Sequence, residues 1–493
     1  MKKKFNMPDT YVIIFFVVIL AAILTHTVPV GKFQMEKVSY ITETGAEKTR
    51  TVPVAGSFTY ELNEQGEPLV KGIKFFEPGG EVGVANYVFE GIVSGDKWGT
   101  AVGVIAFILI TGGSFGIILK TKAVESGLYA LIKKTKGSEW LLLPIVFFVF
   151  SLGGAVFGMG EEAIPFAMVL IPIVIGMGYD GITGILITYV STQIGFGTSW
   201  MNPFSVAIAQ GVAGIPVLSA AGFRMAMWAF FTAFGIFYTI RYANKIKANP
   251  QSSISYEADR YYREEFKLEE QGEVDFKFGH KLVLLVVLLG MAWIIYGVVV
   301  FGYYLPEIAT QFVIMGVIFK LNDMTVNDIA TSFRKGAEDL IGAAIVVGMA
   351  KGIVLVLGGT EAGTPSVLNT VLNWVANGLG GLPAAASAWV MYIFQSVFNF
   401  FVVSGSGQAA LTMPIMAPLS DLVGVPRQVA VLAFQLGDGF TNLIVPTSGI
   451  LMAILGIAKL EWGIWAKFQI KFQGWLFLFG SLFVIGGVLM KLQ

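Results

Sequence analysis

Long apolar stretches, separated by shorter polar ones, run through most of the chain. Ala362 to Ser420 and Gly181 to Phe223 contain no Asp, Glu, Lys or Arg. A helix needs about 20 apolar residues to cross the hydrocarbon core of a bilayer, so both stretches are long enough. The pattern predicts an all-α integral membrane protein. The predicted spanning segments are residues 10–30, 98–119, 140–157, 163–179, 181–213, 221–242, 280–301, 303–320, 337–357, 384–403, 408–424, 427–458 and 470–490.

Two polar intervals separate these segments. Residues 31–97 show alternation at Phe58–Leu62 and a turn signal at Gly66–Pro68, which together predict a small β-rich insertion. Residues 243–279 carry mixed charges, serines and a proline, as expected of a solvated linker between two halves. The lysines at positions 2–4 precede the first apolar run as in a signal peptide, but no A-x-A cleavage site follows. The first apolar run is therefore predicted to be a retained helix.

Basic residues set the predicted orientation, because Lys and Arg accumulate in cytoplasmic loops. They place the N-terminus and residues 243–279 in the cytoplasm and residues 31–97 outside, in a bacterial-type inner membrane. The pair 140–157 and 163–179 must then enter and leave on the cytoplasmic side, and 384–403 with 408–424 on the external side. Charge does not decide whether each pair is two full spans or a re-entrant hairpin.

Composition narrows the function. Net charge is zero, with 33 basic and 33 acidic residues, so no nucleic-acid partner is expected. The chain has no cysteine, which excludes disulfides and thiolate metal sites, and its two histidines, His26 and His280, are far apart. Phosphate-binding loops and the common hydrolase motifs are absent from a supporting context. These features favour a transporter over an enzyme.

The two halves of the chain resemble each other. Four short matches occur in the same order, at offsets between 236 and 247 residues. The predicted orientation makes 98–119 run inward and its counterpart 337–357 run outward, so we expect inverted repeats, as is common in secondary transporters. The matched pairs are Gly116–Leu119 with Gly352–Leu355, Gly158–Glu161 with Gly405–Gln408, Gln193–Gly197 with Gln435–Gly439, and Thr198, Pro203 and Ser205 with Thr441, Pro446 and Ser448.

Each half also has a glycine-rich tip and a helix break. A break frees backbone groups that lipid cannot satisfy, so it must be buried or line a watery cavity. Half-helix N-termini attract anions, and freed carbonyls coordinate cations. The predicted substrate and ion site comprises Gly158, Gly160, Glu161, Glu162, Thr198, Ser199, Asn202, Ser205, Ser404, Ser406, Gln408, Asp438, Thr441, Asn442, Thr447 and Ser448.

Three acidic residues lie within long apolar intervals. Glu161 and Glu162 are the only charges between residues 140 and 179, and Asp438 is the only one between 428 and 458. A charge at the bilayer centre costs about 2.5–3.5 kcal/mol on insertion scales, so each implies a partner or a watery cavity. Lys351 also lies in an apolar helix, and we expect it to extend to the external face.

The tips and breaks resemble a known family. Pro8–Tyr11, Gly112–Gly116, Gly158–Glu162, Ser404–Gln408 and Thr441–Ser448 are similar to the YfcC-like branch of the C4-dicarboxylate anaerobic carrier (DcuC) family. The resemblance implies the ion transporter superfamily fold, in which homodimers carry two re-entrant hairpins and work as elevators. It also implies Na⁺ or H⁺ as coupling ion, with Na⁺ near Gly160, Thr198, Gly407 and Thr441, and no other cofactor.

The acidic residues bear on the choice of substrate within that family. Related dicarboxylate carriers have neutral tips, whereas Glu161, Glu162 and Asp438 would repel a dianion. The family includes carriers of basic amino acids, which suit acidic residues better. The leading hypothesis is an amino acid carrier, for example of arginine or ornithine, working by exchange or by Na⁺ or H⁺ coupling. The alternatives are C4-dicarboxylate transport and an ion channel.

Overall fold

The computed structural model describes residues 10–41, 47–54, 56–76, 78–79, 81–97, 100–123, 126–127, 141–202, 205–216, 218–265, 277–301, 303, 305–318, 324–359, 361–379 and 381–492. Pro203, which belongs to the matched motifs, lies outside these residues. Within them the chain is predominantly helical, as predicted from its apolar stretches.

The N-terminal part begins with helix α1 (Thr10–Thr27), which leads into strands. Strand β1 (Gly31–Lys32) pairs antiparallel with β4 (Thr59–Tyr60), and β2 (Met35–Ile41) pairs antiparallel with β3 (Glu47–Pro53). Two-stranded ribbons are marginal alone, so packing against other elements must support them. The support includes the Phe33 N–H, which donates to the carbonyl of Ala362 at 2.9 Å.

The next helices are mostly apolar, and one of them is interrupted. Helices α6 (Gly181–Ile185) and α7 (Ser191–Gly197) are joined by a π-helical turn, Leu186–Val190, into one helical segment. The segment begins after Asp180, whose carboxylate accepts a hydrogen bond from the Thr183 N–H at 2.8 Å, and ends at Gly197; the chain is helical again from Val206. The helices are α2 (Tyr87–Val93), α3 (Thr100–Lys120), α4 (Leu142–Phe157), α5 (Ala163–Gly176), α6 (Gly181–Ile185), α7 (Ser191–Gly197), α8 (Val206–Val212) and α9 (Ala221–Ala248).

The middle of the chain contains two amphipathic helices that the search for long apolar stretches did not predict. Helix α13 is closed at its start by a reciprocal pair of hydrogen bonds between Thr325 and Asp328. Helix α15 (Val367–Gly378) is capped by the Ser366 side chain, whose hydroxyl accepts from the Asn369 N–H. After a short 3₁₀ turn at Pro250–Ser252, the helices are α10 (Arg260–Glu265), α11 (Phe278–Phe301), α12 (Leu305–Ile318), α13 (Val326–Glu338), α14 (Ile341–Val356) and α15 (Val367–Gly378).

The last helices include a second interruption. Helix α18 ends at Thr441, and helix resumes at Gly449, where the Ser448 hydroxyl caps it by accepting from the Leu451 N–H at 3.3 Å. Capping by serine satisfies one of the N–H groups that a helix start leaves open. The helices are α16 (Ala384–Asn399), α17 (Gly405–Leu422), α18 (Arg427–Thr441), α19 (Gly449–Ile457) and α20 (Trp462–Leu489).

Helix packing defines two groups among the described helices. In the core group, α4–α9 and α16–α20, the contacts are paired: α4 packs on α7 as α16 packs on α18, and α5 packs on α19 as α17 packs on α8. Helices α7 and α18 cross at its centre. In the flanking group, α14 packs on α1, α2 and α3, and α3 packs on α12 and α13. The groups meet where α14 packs on α19 and α3 on α5.

Three of the described helices are long and apolar enough to cross a bilayer by length and composition: Ala101–Lys120, Ala221–Ala248 and Trp462–Leu489. Two of them expose large apolar side chains, such as Phe237 (61%) and Leu482 (57%). Outward-facing apolar residues of this kind suit a lipid environment better than water. Shorter apolar helices, among them α4, α5 and α14, lie beside them.

Candidate functional site

A cavity of about 310 Å³ lies between the core group and the flanking group. The core group contributes both glycine-rich tips, part of the interruption between α18 and α19, and two side chains of α7, Gln193 and Phe196. The flanking group contributes α3 and α14. The lining residues from the predicted site are Gly158, Gly160, Glu161, Glu162, Ser404, Ser406, Asn442, Thr447 and Ser448.

The first tip connects α4 to α5. Gly158 ends α4 in the left-handed conformation, with φ at 72°, which glycine adopts without steric cost. The Glu162 carboxylate folds back on the tip and accepts a hydrogen bond from the Gly160 N–H at 2.8 Å. Glu162 is only 4% exposed, whereas Glu161 is partly exposed and also lines the cavity. The tip thus presents two acidic residues to the cavity.

The second tip connects α16 to α17. Ser404 caps α17, with its hydroxyl accepting from the Gly407 N–H at 3.2 Å. Gly405 approaches the Asp438 carboxylate, because a Cβ at Gly405 would lie 3.0 Å from Asp438 Oδ2. A larger residue would push the tip away from α18. Gln408 lies behind the tip and donates to the Gln395 carbonyl at 2.9 Å.

The first interruption, between α7 and α8, is held by hydrogen bonds from other elements. The Ser199 hydroxyl donates to the Ala155 carbonyl at 2.5 Å and accepts from the Asn202 N–H at 2.7 Å. The Gln435 side chain donates to the Ser199 carbonyl at 2.7 Å. Gln435 is held in turn by the buried Arg224 guanidinium. These partners satisfy backbone groups that a continuous helix would have paired.

The second interruption, between α18 and α19, is held mainly by aromatic side chains. The Trp465 and Trp462 indoles donate to the carbonyls of Leu443 and Ile444, each at 2.8 Å. The Tyr189 hydroxyl donates to the Asn442 carbonyl at 2.9 Å. Trp465 is fully buried, so its donor replaces water at a carbonyl that has lost its helical partner.

Asp438 lies just behind the cavity wall and is fully buried. Its Oδ1 accepts from the Asn442 side chain at 3.3 Å, and Oδ2 has no hydrogen-bond partner among the described residues. The neighbouring Asn399 donates to the Asn442 side-chain oxygen at 2.7 Å. A buried carboxylate oxygen without a donor is costly, so this position favours a proton or a bound cation.

Several predicted site residues do not line the cavity. The Thr198 hydroxyl donates to the Ile194 carbonyl, and Thr198 does not line the cavity. The Thr447 hydroxyl likewise donates to a carbonyl, that of Phe400, but Thr447 does line the cavity. The others are buried within the core group, apart from Thr441, which is partly exposed. The predicted residues outside the lining are Thr198, Ser199, Asn202, Ser205, Gln408, Asp438 and Thr441.

Lys351 was not assigned to the site from the sequence. It lines the cavity together with Val347, Ala350 and Val354, and the expected extension of its side chain to the external face stays a prediction. These four positions follow the i, i+3, i+4, i+7 spacing of one helix face. Periodicity alone did not reveal which way that face points. Gln193, which also lines the cavity, was signalled by its match to Gln435 but was not assigned to the site.

The described residues contain no cluster of three or more His, Cys, Asp or Glu that could hold a metal ion. The acidic residues that line the cavity are Glu161 and Glu162, with hydroxyl and amide oxygens around them. Such an arrangement can hold a small charged solute between the two helical groups.

A cavity enclosed by two hairpin-like tips and two interrupted helices is typical of membrane transporters of small solutes. The chain belongs to the C4-dicarboxylate anaerobic carrier (DcuC) family, whose family model matches residues 7–489. It is a member of a family of carriers, and hence a membrane protein.

Two relatives match nearly the full length. YfcC of Escherichia coli (strain K12), named as a proposed basic amino acid antiporter, is 51% identical over 99% of this chain and 97% of its own. An uncharacterised protein of Haemophilus influenzae (strain Rd KW20) is 32% identical over 98% of this chain and 97% of its own. These relatives support the YfcC-like branch of the family.

Among solved structures, the YdaH transporter of Alcanivorax borkumensis is 14% identical. The match covers 98% of this chain and 99% of that chain, with a TM-score of 0.39. A score this low does not establish a shared fold.

Proposed function

We propose that the protein is a secondary carrier that exchanges amino acids with cationic side chains, such as arginine or ornithine, across the inner membrane. The observation that carries the proposal is the placement of Glu161 and Glu162 at a cavity between two helical groups. Carboxylates in a poorly hydrated cavity attract guanidinium and ammonium groups strongly. The name of the YfcC relative points to the same substrate class.

The proposed mechanism is an elevator built from inverted repeats. The paired contacts of α4 with α7 and α16 with α18 support a repeat, because equivalent helices make equivalent contacts. In this mechanism the core group, with the tips as re-entrant hairpins, carries the substrate past the flanking group, through which two copies would form a homodimer. Alternating access by rigid-body movement around a fixed site is common in carriers of inverted repeats.

The proposed orientation places one basic end in the cytoplasm. Lys120, Lys335 and Lys459 are far apart in sequence but line a common second cavity of about 470 Å³. Grouping of lysines at one end agrees with the bias of Lys and Arg toward the cytoplasm. The N-terminus then lies in the cytoplasm and the strands outside.

Coupling to H⁺ or Na⁺ is part of the proposal at Asp438. Its Oδ2 and the Asn399 Oδ1 have no hydrogen-bond partner among the described residues. Oxygen atoms of carboxylate and amide groups are ligands that hard cations accept. A proton on Asp438 would neutralise the buried carboxylate instead. The sequence-based Na⁺ positions near Gly160, Thr198, Gly407 and Thr441 surround the same tips and interruptions.

C4-dicarboxylate transport is the second candidate. The family description names it, and Lys351 gives the cavity one positive charge. Against it stand the two tip carboxylates, which would repel a dianion.

The experiment is exchange in proteoliposomes. Purified protein is reconstituted with arginine or ornithine inside, and labelled arginine, ornithine, leucine or succinate is offered outside, with Na⁺ or pH gradients imposed in parallel. We expect labelled arginine and ornithine to enter only against internal amino acid. If labelled succinate enters and none of the labelled amino acids does, the second candidate is established instead. Single-channel currents in planar bilayers without exchange would indicate a channel.

A variant pair ties the activity to the tip. Glu161→Gln removes a charge that lines the cavity, and Glu461→Gln removes one at the exposed start of α20. We expect Glu161→Gln to lower arginine exchange by at least about tenfold, since a charged hydrogen bond contributes roughly 1.5–3 kcal/mol. Glu461→Gln should exchange at the unaltered rate. Equal rates in both variants would contradict the role of the tip.

A further inference from the structure

Lys351 is the only charged residue of α14, and it lies on the face of that helix that meets the cavity. Every other lining residue of this helix is apolar. The side chain is half-buried, with no ion-pair partner among the residues that the structure describes. An ammonium group in this setting needs a compensating negative charge or water.

The two signs of charge lie on different walls of the cavity. Glu161 and Glu162 belong to the core group, and Lys351 belongs to the flanking group. They form no ion pair with one another, so the cavity keeps them apart. A cavity with separated positive and negative sides complements a solute that carries both charges.

The other groups at the cavity that could bind a carboxylate are uncharged. The Ser404 and Ser448 hydroxyls accept from the Gly407 and Leu451 N–H groups and still carry a proton to donate, but a neutral hydroxyl binds an anion less strongly than an ammonium group does. Lys351 is the only basic side chain lining the cavity within the described part of the chain. It therefore has the strongest claim on an anionic group of the substrate.

We propose that Lys351 determines specificity by binding the carboxylate of the substrate from the flanking-group side of the cavity. The identity of that substrate as an amino acid rests on the function proposed above, in which the tip carboxylates bind its cationic groups. Lys351 belongs to the flanking group, whereas the core group carries the substrate. Lys351 therefore binds the carboxylate only in the position of the core group that brings the substrate next to residue 351.

The test compares arginine with agmatine, which has the same guanidinium and chain but no carboxylate. Exchange kinetics of both compounds are measured in proteoliposomes for the unaltered protein, Lys351→Met and Lys351→Arg. We expect Lys351→Met to raise the KM for arginine by about 10- to 100-fold, the scale of one charge-assisted hydrogen bond. The KM for agmatine should change by less than about threefold, because the lost interaction involves only the carboxylate.

Lys351→Arg keeps the charge, so it should retain most of the preference for arginine over agmatine. A Lys351→Met protein that loses both compounds equally would overturn the proposal in favour of a structural role. Unchanged KM values of Lys351→Met for arginine and agmatine would overturn it too. Lower KM values for both compounds would also overturn it, because they would mean that Lys351 competes with the cationic group of the substrate.

The proposed function can fail separately. If the unaltered protein exchanges succinate and no amino acid, the proposed function is wrong. The inference about Lys351 then still requires Lys351→Met to exchange succinate more slowly, because succinate also binds through carboxylates. Unimpaired succinate exchange in that variant would overturn the inference. An unaltered protein that exchanges none of these compounds would overturn both.

Discussion

Gly197 and Gly439 contact each other at the crossing of α7 and α18. A Cβ added at Gly439 would lie 2.4 Å from the Cα of Gly197, and one added at Gly197 would lie 3.2 Å from the Cα of Gly439. The two glycines hold the same place in the matched segments Gln193–Gly197 and Gln435–Gly439. Equivalent residues of a two-fold repeat meet each other on its axis, so this contact supports the proposed inverted repeat.

The first prediction follows from that contact. Gly439→Ala must separate the two helices, and overpacking of this kind costs about 1–3 kcal/mol. We expect a lower midpoint of thermal unfolding in detergent and a loss of exchange, with a smaller effect for Gly197→Ala. Gly474→Ala is the control, since Gly474 lies on α20 with no atom within 4 Å of the added Cβ. Equal midpoints for Gly439→Ala and Gly474→Ala would contradict the close packing.

The second prediction concerns the indole that supports the second interruption. Trp465→Phe removes the donor to the Leu443 carbonyl and leaves that carbonyl buried without its partner. An unsatisfied buried group costs about 1–3 kcal/mol, so the protein should unfold at a lower temperature. Trp475→Phe, at a side chain that is 49% exposed, should unfold near the unaltered temperature. Similar shifts in the two variants would show that the indole hydrogen bond is unimportant.

Much of the helical fold could be predicted because apolar length alone identifies a buried or membrane-facing helix. Helices α13 and α15 were missed as separate elements because they are short and amphipathic, and a search for long apolar stretches does not detect them. The site was predicted through its glycines and prolines, which interrupt helices locally. Lys351 and Trp465 were not assigned to it, because their roles depend on which distant element each side chain faces, and that is a tertiary property.

The third prediction tests Asp438. Asp438→Asn keeps the size of the side chain but removes the charge and the ability to release a proton. We expect exchange to fall by at least about tenfold and to lose its response to an imposed pH or Na⁺ gradient, because a buried carboxylate is the group that favours a cation there. Asp421→Asn, in an exposed pair with Arg427, should keep both properties. Full, gradient-sensitive exchange by Asp438→Asn would remove the carboxylate from the coupling step.

The fourth prediction concerns Asp259, in the linker between α9 and α10. Burial, reinforced by the nearby Asp180 charge, raises the pKa of its carboxyl to about 7, although Ser255 and the Gly181 N–H donate to it. Between about pH 4 and pH 7 the folded protein holds a proton that the unfolded chain releases, so this group makes stability fall as pH rises. The free energy of unfolding of Asp259→Asn, relative to that of the unaltered protein, should therefore increase as pH rises from 5 to 8.

Thermal unfolding at several pH values measures this difference, and Asp328→Asn is its control. Hydrogen bonds from Thr325 lower the pKa of the Asp328 carboxyl, so its contribution is lost only as pH falls through that lowered pKa. The difference between Asp328→Asn and the unaltered protein should then stay constant from pH 5 to pH 8. A constant difference for Asp259→Asn as well would contradict a titrating Asp259.

The fifth prediction tests movement between the two groups. Lys459, just after α19, pairs with Asp339, just after α13, at 3.5 Å, so this ion pair joins the core group to the flanking group. The chain has no cysteine, and Asp339→Cys with Lys459→Cys can be joined by a short reducible thiol cross-linker. An elevator requires the groups to slide past each other, so cross-linking should reduce exchange at least about tenfold until the linker is reduced.

Asp421 and Arg427 provide the matched control, because they pair at 2.7 Å between α17 and α18 within the core group. A cross-link between cysteines at these two positions joins helices that move together in the proposed mechanism, and exchange should continue. Arrest by both cross-links would mean that the hairpin itself must move relative to α18. Unimpaired exchange with the 339–459 cross-link complete would rule out the elevator, because two groups tied at their basic end cannot carry a solute past each other.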